Sequence, residues 1–152
     1  MADYIMDLRK AVGHRPLLQV GAGVIVLDAA GRVLLQRRSD NGCWDYAGGS
    51  MEPGEEAEAT ARRELLEETG LTARSLELFG VFSGEEMHYI YPNGDEVYNV
   101  DIVYICRDYS GELTPQAGEV DELRFFDADR LPEHISPPSR RPLAQWLAAG
   151  SR

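Results

Sequence analysis

Apolar and polar positions fall along the chain in blocks whose period changes, and the changes mark the elements. Val20 to Leu27 is an almost unbroken apolar run rich in β-branched residues, the pattern of a strand buried on both faces. Asp28 to Gly31 has the composition of a turn and Val33 to Arg38 resumes the run, which predicts a hairpin with a buried first strand. Leu76 to Phe82, Val97 to Cys106 and Leu123 to Phe126 predict further strands, with Pro92, Asn93 and Gly94 turning the chain between His88 to Tyr91 and Val97. A glycine-rich stretch, Gly42 to Gly54, leads into a run of helix formers from Glu55 to Thr69 that stops at Gly70. Near the N-terminus, Asp3 caps a short predicted helix that runs through Val12 and closes at Gly13. After Pro137 and Pro138, Ser139 caps a last predicted helix in which Leu143, Trp146 and Leu147 share a face and which Gly150 ends. Strands flanking one central helix predict an α+β fold, a mixed sheet with helices in a single domain. Its parts are an N-terminal helical extension over residues 1–16, a main domain over 17–135 and a C-terminal helix over 136–152 packing on that domain.

Composition narrows the partners. The 152 residues, 43% of them hydrophobic, suffice for one core. A formal charge of -11, from 26 acidic and 15 basic residues, repels nucleic acid polymers and anionic membrane surfaces alike. A polyanionic ligand would therefore need local cations. No segment approaches transmembrane length, and Met1 to Lys10 alternates charged and apolar residues where an export leader would show a basic start and an apolar block, so a cytoplasmic protein is expected. Cys43 and Cys106 show neither pairing nor metal-ligand spacing and are read as reduced thiols.

The chemistry begins in the central helix. Glu64, Glu67 and Glu68 stand at i, i+3 and i+4, so at about 100° per residue they share one stripe and repel one another. A hard cation relieves such repulsion, and magnesium commonly takes only a few carboxylates, leaving sites for water and substrate phosphates. Taken alone, a run of this kind is usually a solvated face paired with neighbours such as Arg62 and Arg63.

Its surroundings change that reading. Gly49-Ser50-Met51-Glu52-Pro53-Gly54-Glu55 and, after the intervening residues, Arg63-Glu64-Leu65-Leu66-Glu67-Glu68-Thr69-Gly70-Leu71 resemble the Nudix hydrolase signature, G-x5-E-x7-R-E-U-x-E-E-x-G-U with U aliphatic, at every specified position. The resemblance extends from about Val20 to Pro132, through Leu34-Leu35-Gln36-Arg37-Arg38 before the box and Leu123-Arg124-Phe125-Phe126 after it. It implies a Nudix-type α/β/α sandwich and metal-dependent hydrolysis of a phosphoanhydride in a nucleoside diphosphate linked to another moiety: a nucleotide, ADP-ribose, a nucleotide sugar or a dinucleoside polyphosphate. By the same resemblance Glu64, Glu67 and Glu68, with the carbonyl of Gly49, would bind Mg2+ or Mn2+, while Glu55 and Arg63 would form an ion pair bracing the loop. Arg63, adjacent to Glu64, projects about 100° off the stripe, which frees its planar fork for a loop carboxylate. One departure is Ala47, where the family often has Pro before its paired glycines. Glu52 matches an acidic position often seen in the box and is a candidate ligand for a second ion, against an equal claim as a solvated loop residue.

Such a reaction also needs a base and phosphate contacts. Glu67 or Glu68 can act from the box, but Glu119 and Glu122 lie on an acidic loop, where the family often supplies a ligand or base, and Glu119 is the preferred candidate. His88 competes by side-chain type, although a lone His near a strand end more often packs. Arg37 and Arg38 supply the local cations, with at most one pointing at substrate because adjacent strand residues face opposite ways. Tyr89, Tyr91, Phe82 and Tyr98 are candidates for stacking on a base and, equally, for core packing. The family's upstream signature for coenzyme A hydrolysis is absent, and Glu86 stands about where an ADP-ribose-type proline is expected. The expected partner is a small nucleotide-like molecule, with the terminal helices offering a route to a homodimer. Two competing classes are a nucleotide-binding sensor that has lost turnover, against which the complete carboxylate set speaks, and a non-enzymatic interaction domain, against which the complete box speaks. Other nucleotide motifs fail: Gly21-Ala22-Gly23 continues into a strand, and Gly54 is followed by Glu55 instead of Lys and Ser or Thr.

Overall fold

The computed structural model describes residues 3–150, in the chain order α1 (Tyr4–Val12), β1 (Leu17–Val26), β2 (Val33–Arg38), β3 (Trp44–Asp45), β4 (Ala47–Ser50), α2 (Ala57–Thr69), β5 (Thr72–Phe82), a 3-10 turn (Glu85–Met87), β6 (His88–Ile90), β7 (Glu96–Ser110), β8 (Val120–Phe126) and α3 (Pro137–Ala148). The apolar run of β1 is central, and its alternate residues enter two cores. Ala22, Val24 and Val26 pack with Ala61 and Leu65 of α2, while Ile25 packs with Val103, Phe82, Met87, Leu143 and Trp146, the last two from α3. A strand whose faces both meet a helix must be apolar throughout, which is why the run does not alternate.

Strand β1 pairs in parallel with β7 and antiparallel with β4; β7 also carries β5 and β6, giving a mixed sheet in the order β4-β1-β7-β5 with β6 beside β7. A second, antiparallel sheet has the order β3-β2-β8. With α2 on one side and α3 on the other, the molecule is the expected α/β/α sandwich.

Several local expectations are corrected. β1 and β2 do not form a hairpin: they belong to different sheets and share only the bridge between Leu27 and Val33. The intervening turn is nonetheless well made, with Asp28 Oδ1 accepting from the amides of Ala30 (3.0 Å) and Arg32 (2.8 Å) and Gly31 at φ 80°. Both lateral edges of β1 are taken by β4 and β7, so β2 is diverted to β8 and β3. The Gly42 to Gly54 stretch contains β3 and β4, because Trp44, Tyr46 and Ala47 are core residues. Helix α2 starts at Ala57, since the Glu55 side chain is drawn into the preceding loop. Ser136, not Ser139, is the N-cap of α3; Pro137 and Pro138 open the helix, where a missing N–H costs nothing, and Ser139 donates its amide to Ser136 O at 2.9 Å.

The N-terminal helix forms as its caps predict, with Asp3 accepting from the Met6 amide at 3.2 Å. It is anchored by buried Arg9, whose guanidinium donates to the carbonyls of Gly13 (3.0 Å), Arg15 (2.5 Å) and Glu96 (2.6 Å). Among the described residues no helix is long and apolar enough to cross a membrane.

Candidate active site

Strand β4 runs into a tight loop and then into α2, and one ion pair holds that loop. Glu55 Oε2 accepts from Arg63 Nε at 2.8 Å, and Oε1 accepts from Arg63 Nη2 (3.0 Å), Thr60 Oγ1 (2.6 Å) and the Glu52 amide (3.1 Å). Arg63 also donates to Ser50 O at 3.2 Å, so both ends of the loop are tied to the second turn of α2. The Arg63 guanidinium, helped by the other donors, lowers the Glu55 carboxyl to about 2. Arg63 is not clear of the carboxylate stripe as its angular offset suggests. Its long side chain reaches Glu64 Oε1 (3.0 Å) and approaches Glu67 Oε2 (3.7 Å).

Glu64 and Glu68 meet beneath this brace. Glu68 is buried and accepts from Gln36 Nε2 at 2.5 Å and from the Gly48 amide at 3.3 Å. Burial raises its pKa well above the usual carboxylate range, and contact with Glu64 raises it further; Glu64 is raised too, again chiefly by burial. A buried carboxylate meeting a partly buried one favours a proton or a cation between them, and of the two Arg63 reaches Glu64. Gly49 lies against Glu64 so closely that a Cβ there would stand 2.3 Å from Oε1, so only glycine leaves the carboxylate in place. Glu67 leans toward Arg63 and is 29% exposed. Among the described residues no three His, Cys, Asp or Glu side chains form a ready-made metal cage.

On the other face of β4 a cleft opens, lined by Gly21, Gly48 and Gly49, by Arg38, Asp45 and Tyr46, by Tyr89 and Tyr91, by Asn99 and Asp101 of β7, and by Ser136 and Ser139 beside α3. The Tyr46 ring lies over β1 at Gly23, where a Cβ would stand 2.4 Å from Cε1, and its hydroxyl donates to Asp101 Oδ2. Burial raises Asp101 and pushes Asp45 up to about 6. Asp45, Tyr46 and Asp101 are among the cleft residues that the sequence did not single out as candidates. The available signal was a lone charged residue within the apolar run Val97 to Cys106, and a Trp-Asp-Tyr-Ala alternation in what reads as a glycine-rich loop.

The other candidates divide. Arg38 lines the cleft but is held by Asp40 (2.9 and 2.7 Å) and Asp45 (3.3 Å); Arg37 is more exposed, with Glu122 at 3.9 Å. Glu122 is also hydrogen-bonded by Arg124, whereas the exposed Glu119 carboxylate has no hydrogen-bond or ion-pair partner among the described residues. The Glu119 loop meets the end of α2 where the Gln116 amide donates to Glu68 O at 3.3 Å. His88 pairs with Glu96 at 2.7 Å and packs against the Tyr98 ring at a tilt of 40°. Glu52 accepts from the Tyr4 amide at the start of α1, at 3.3 Å. Phe82 is core, while Tyr89 and Tyr91 form an edge-to-face pair in the cleft wall.

A carboxylate helix behind a braced glycine loop, with an aromatic cleft that the same loop's glycines line, defines a class of site, and comparison with known proteins identifies it. The family model of the NUDIX domain matches residues 17–147. An ADP-ribose pyrophosphatase of Methanocaldococcus jannaschii is 35% identical over 112 residues, 71% of this chain and 62% of that protein. An oxidized purine nucleoside triphosphate hydrolase of Danio rerio is 36% identical over 114 residues, 72% of this chain and 67% of that one. The crystal structure of a MutT NUDIX hydrolase from Burkholderia pseudomallei superposes with a TM-score of 0.71 at 29% identity, covering 86% of this chain and 98% of that chain. The chain belongs to the Nudix family and is a Nudix-type hydrolase of nucleotide-like phosphorus anhydrides.

Proposed function

We propose that the chain is a divalent-cation-dependent pyrophosphohydrolase that cleaves a phosphoanhydride bond in a nucleoside diphosphate linked to a further moiety. The observation that supports this reading is the meeting of buried Glu68 with partly buried Glu64, both with raised pKa values, Glu64 lying against Gly49 at the loop. Glu64, Glu67 and Glu68, with the Gly49 carbonyl, would hold Mg2+ or Mn2+. When bound, such an ion neutralises charge developing at phosphorus and acidifies a water.

The protein's own groups divide the remaining work. Glu55 and Arg63 keep the loop against the helix, so the carboxylates do not have to reorganise during turnover. Glu119 is the base we assign ahead of Glu122, because its carboxylate is exposed while that of Glu122 is engaged by Arg124. Arg37 and Arg38 flank the phosphates, Arg37 as the more exposed cation and Arg38 as one already balanced by Asp40 and Asp45. The cleft receives the non-phosphate part of the substrate, with Tyr89 and Tyr91 as the flat wall. The named relatives act on different compounds, ADP-ribose in one case and oxidized purine triphosphates in the other, so the substrate is stated at the level they share.

The test is phosphate release, with a coupled phosphatase, across nucleoside triphosphates, oxidised triphosphates, ADP-ribose, nucleotide sugars and dinucleoside polyphosphates, each with Mg2+, Mn2+ or chelator. Chelator-sensitive turnover of one class is expected. Silence on every compound, with a nucleotide still raising the melting temperature, would replace this reading with a nucleotide-binding sensor.

A further inference from the structure

A buried polar chain runs from the carboxylate helix to the cleft, and Gln36 is its middle link. Gln36 is 5% exposed on β2, in a strand whose preceding residues Val33, Leu34 and Leu35 are all core. Its Nε2 donates to Glu68 Oε1 at 2.5 Å. Its cross-strand partner is Asp45 on β3, 8% exposed, whose Oδ2 accepts from Arg38 Nη1 at 3.3 Å. Arg38 then faces the cleft, its guanidinium carbon 5.8 Å from the centre of the Tyr91 ring.

The paired residues Gln36 and Asp45 each carry a buried oxygen without a hydrogen-bond partner, Gln36 Oε1 and Asp45 Oδ1. Buried acceptors left unpaired are costly, so a mismatch on neighbouring side chains calls for one correction that serves both. A proton on Asp45 turns the two acceptors into a hydrogen bond and leaves the Gln36 Nε2 contact with Glu68 as it stands. The amide then has one partner on the carboxylate helix and the other on the cleft wall. Packing alone does not ask for glutamine here: Met would fill nearly the same volume without burying an amide.

We propose that Gln36 is a positioning residue, whose amide orients the Glu68 carboxylate and, through Asp45, the Arg38 guanidinium, holding the carboxylate helix and the cleft wall in one register. The inference rests on the reading that Glu68 is a cation ligand. It deepens that reading by naming what aims the ligand and what joins it to the substrate side.

The experiment is calorimetric titration of Mn2+ into the wild-type protein, Gln36→Met and Asp45→Asn, with kcat and KM measured on the preferred substrate. Gln36→Met is expected to weaken Mn2+ binding by about tenfold or more and to lower kcat in proportion, the usual scale for loss of a group supporting a metal ligand. Asp45→Asn is expected to raise KM through Arg38, with Mn2+ affinity within about twofold of wild type, since it leaves the Gln36–Glu68 contact in place. A folded Gln36→Met whose Mn2+ affinity and kcat stay within about twofold of wild type would overturn the proposal and leave Gln36 a packing residue. Should that variant not fold, the wild-type protein answers by NMR. Mg2+ alone must then shift the Gln36 side-chain amide resonances, with exposed Gln145 as the control, and no movement at Gln36 overturns the proposal. A wild-type protein that binds no Mn2+ would instead overturn the underlying metal reading, a result distinct from failure at Gln36.

Discussion

The two walls of the candidate site are built in opposite ways. The wall from Gly49 to Leu71 is one contiguous stretch, in which glycine loop, brace and carboxylates are within a few turns of one another and each contact is local. The facing wall is assembled from β1, β2, β3, β4 and β7, the start of α3 and the tyrosines around β6, so its residues come from almost the whole length of the chain. The first wall carries the family signature, and the second is assembled only by the fold. The contrast teaches that reaction chemistry can be carried by a local motif, while the choice of substrate depends on tertiary placement.

The comparison can be broken from either side, beginning with the largest effect. Glu67→Gln should lower kcat on every substrate by about a thousandfold, because it removes one of three carboxylate charges at nearly constant volume. Its melting temperature should stay within about 2 °C of wild type, since the side chain is partly exposed and such sites contribute little to stability. Loss of folding in thermal denaturation would make Glu67 structural. Arg63→Ala should cost about 2 kcal/mol in urea unfolding, because it leaves the partly buried Glu55 carboxylate without its ion-pair partner.

Gly49→Ala separates geometry from stability. The new Cβ would meet the end of a flexible side chain, so Glu64 can yield and the fold should survive, but the displaced ligand should lower kcat by about thirtyfold. Near-normal turnover would show that Glu64 tolerates displacement.

Acid titration examines the brace when wild type is compared with Glu55→Gln, since Asp40 and Asp95 are also held low. The folded Glu55 carboxyl lies at about 2 against an ordinary value of 4.5, so its contribution is fully present above pH 4.5 and is lost as the pH falls toward 2. The expected size is on the order of 2 kcal/mol, and Glu55→Gln should flatten that part of the pH-stability curve. The smallest effect belongs to the far wall. Asp101→Asn should change the relative kcat/KM of two preferred substrates by about tenfold while leaving metal activation alone, and a uniform loss on all substrates would place Asp101 with the chemistry.

How much of this was legible in the sequence follows the same division. The carboxylate stripe and the helix ending at Gly70 depend on spacing along one segment, and the Glu55–Arg63 pairing was implied by the family resemblance; the structure forms that helix and that ion pair. The partners of β1 were not legible, because an apolar strand announces that it is buried without naming its neighbours, and the nearby turn at Asp28 suggested β2. Gln36 stood in plain view as a polar residue ending an apolar run, but its meaning required α2 and β3 to meet on it. Asp101 was hidden for a similar reason: only the fold brings it to the Tyr46 hydroxyl. Arg38 looked like a free cation until Asp40 and Asp45 were seen beside it.

The central claim is that the carboxylate helix works by holding a divalent cation, and a single Mn2+ titration followed by two readouts tests it most directly. Turnover of the preferred substrate and the melting temperature, measured on the same chelator-stripped protein, should rise together with a common midpoint in the wild type, and neither should rise that way in Glu67→Gln. Full turnover persisting in saturating chelator, or a wild-type midpoint that Glu67→Gln leaves unmoved, would contradict the account.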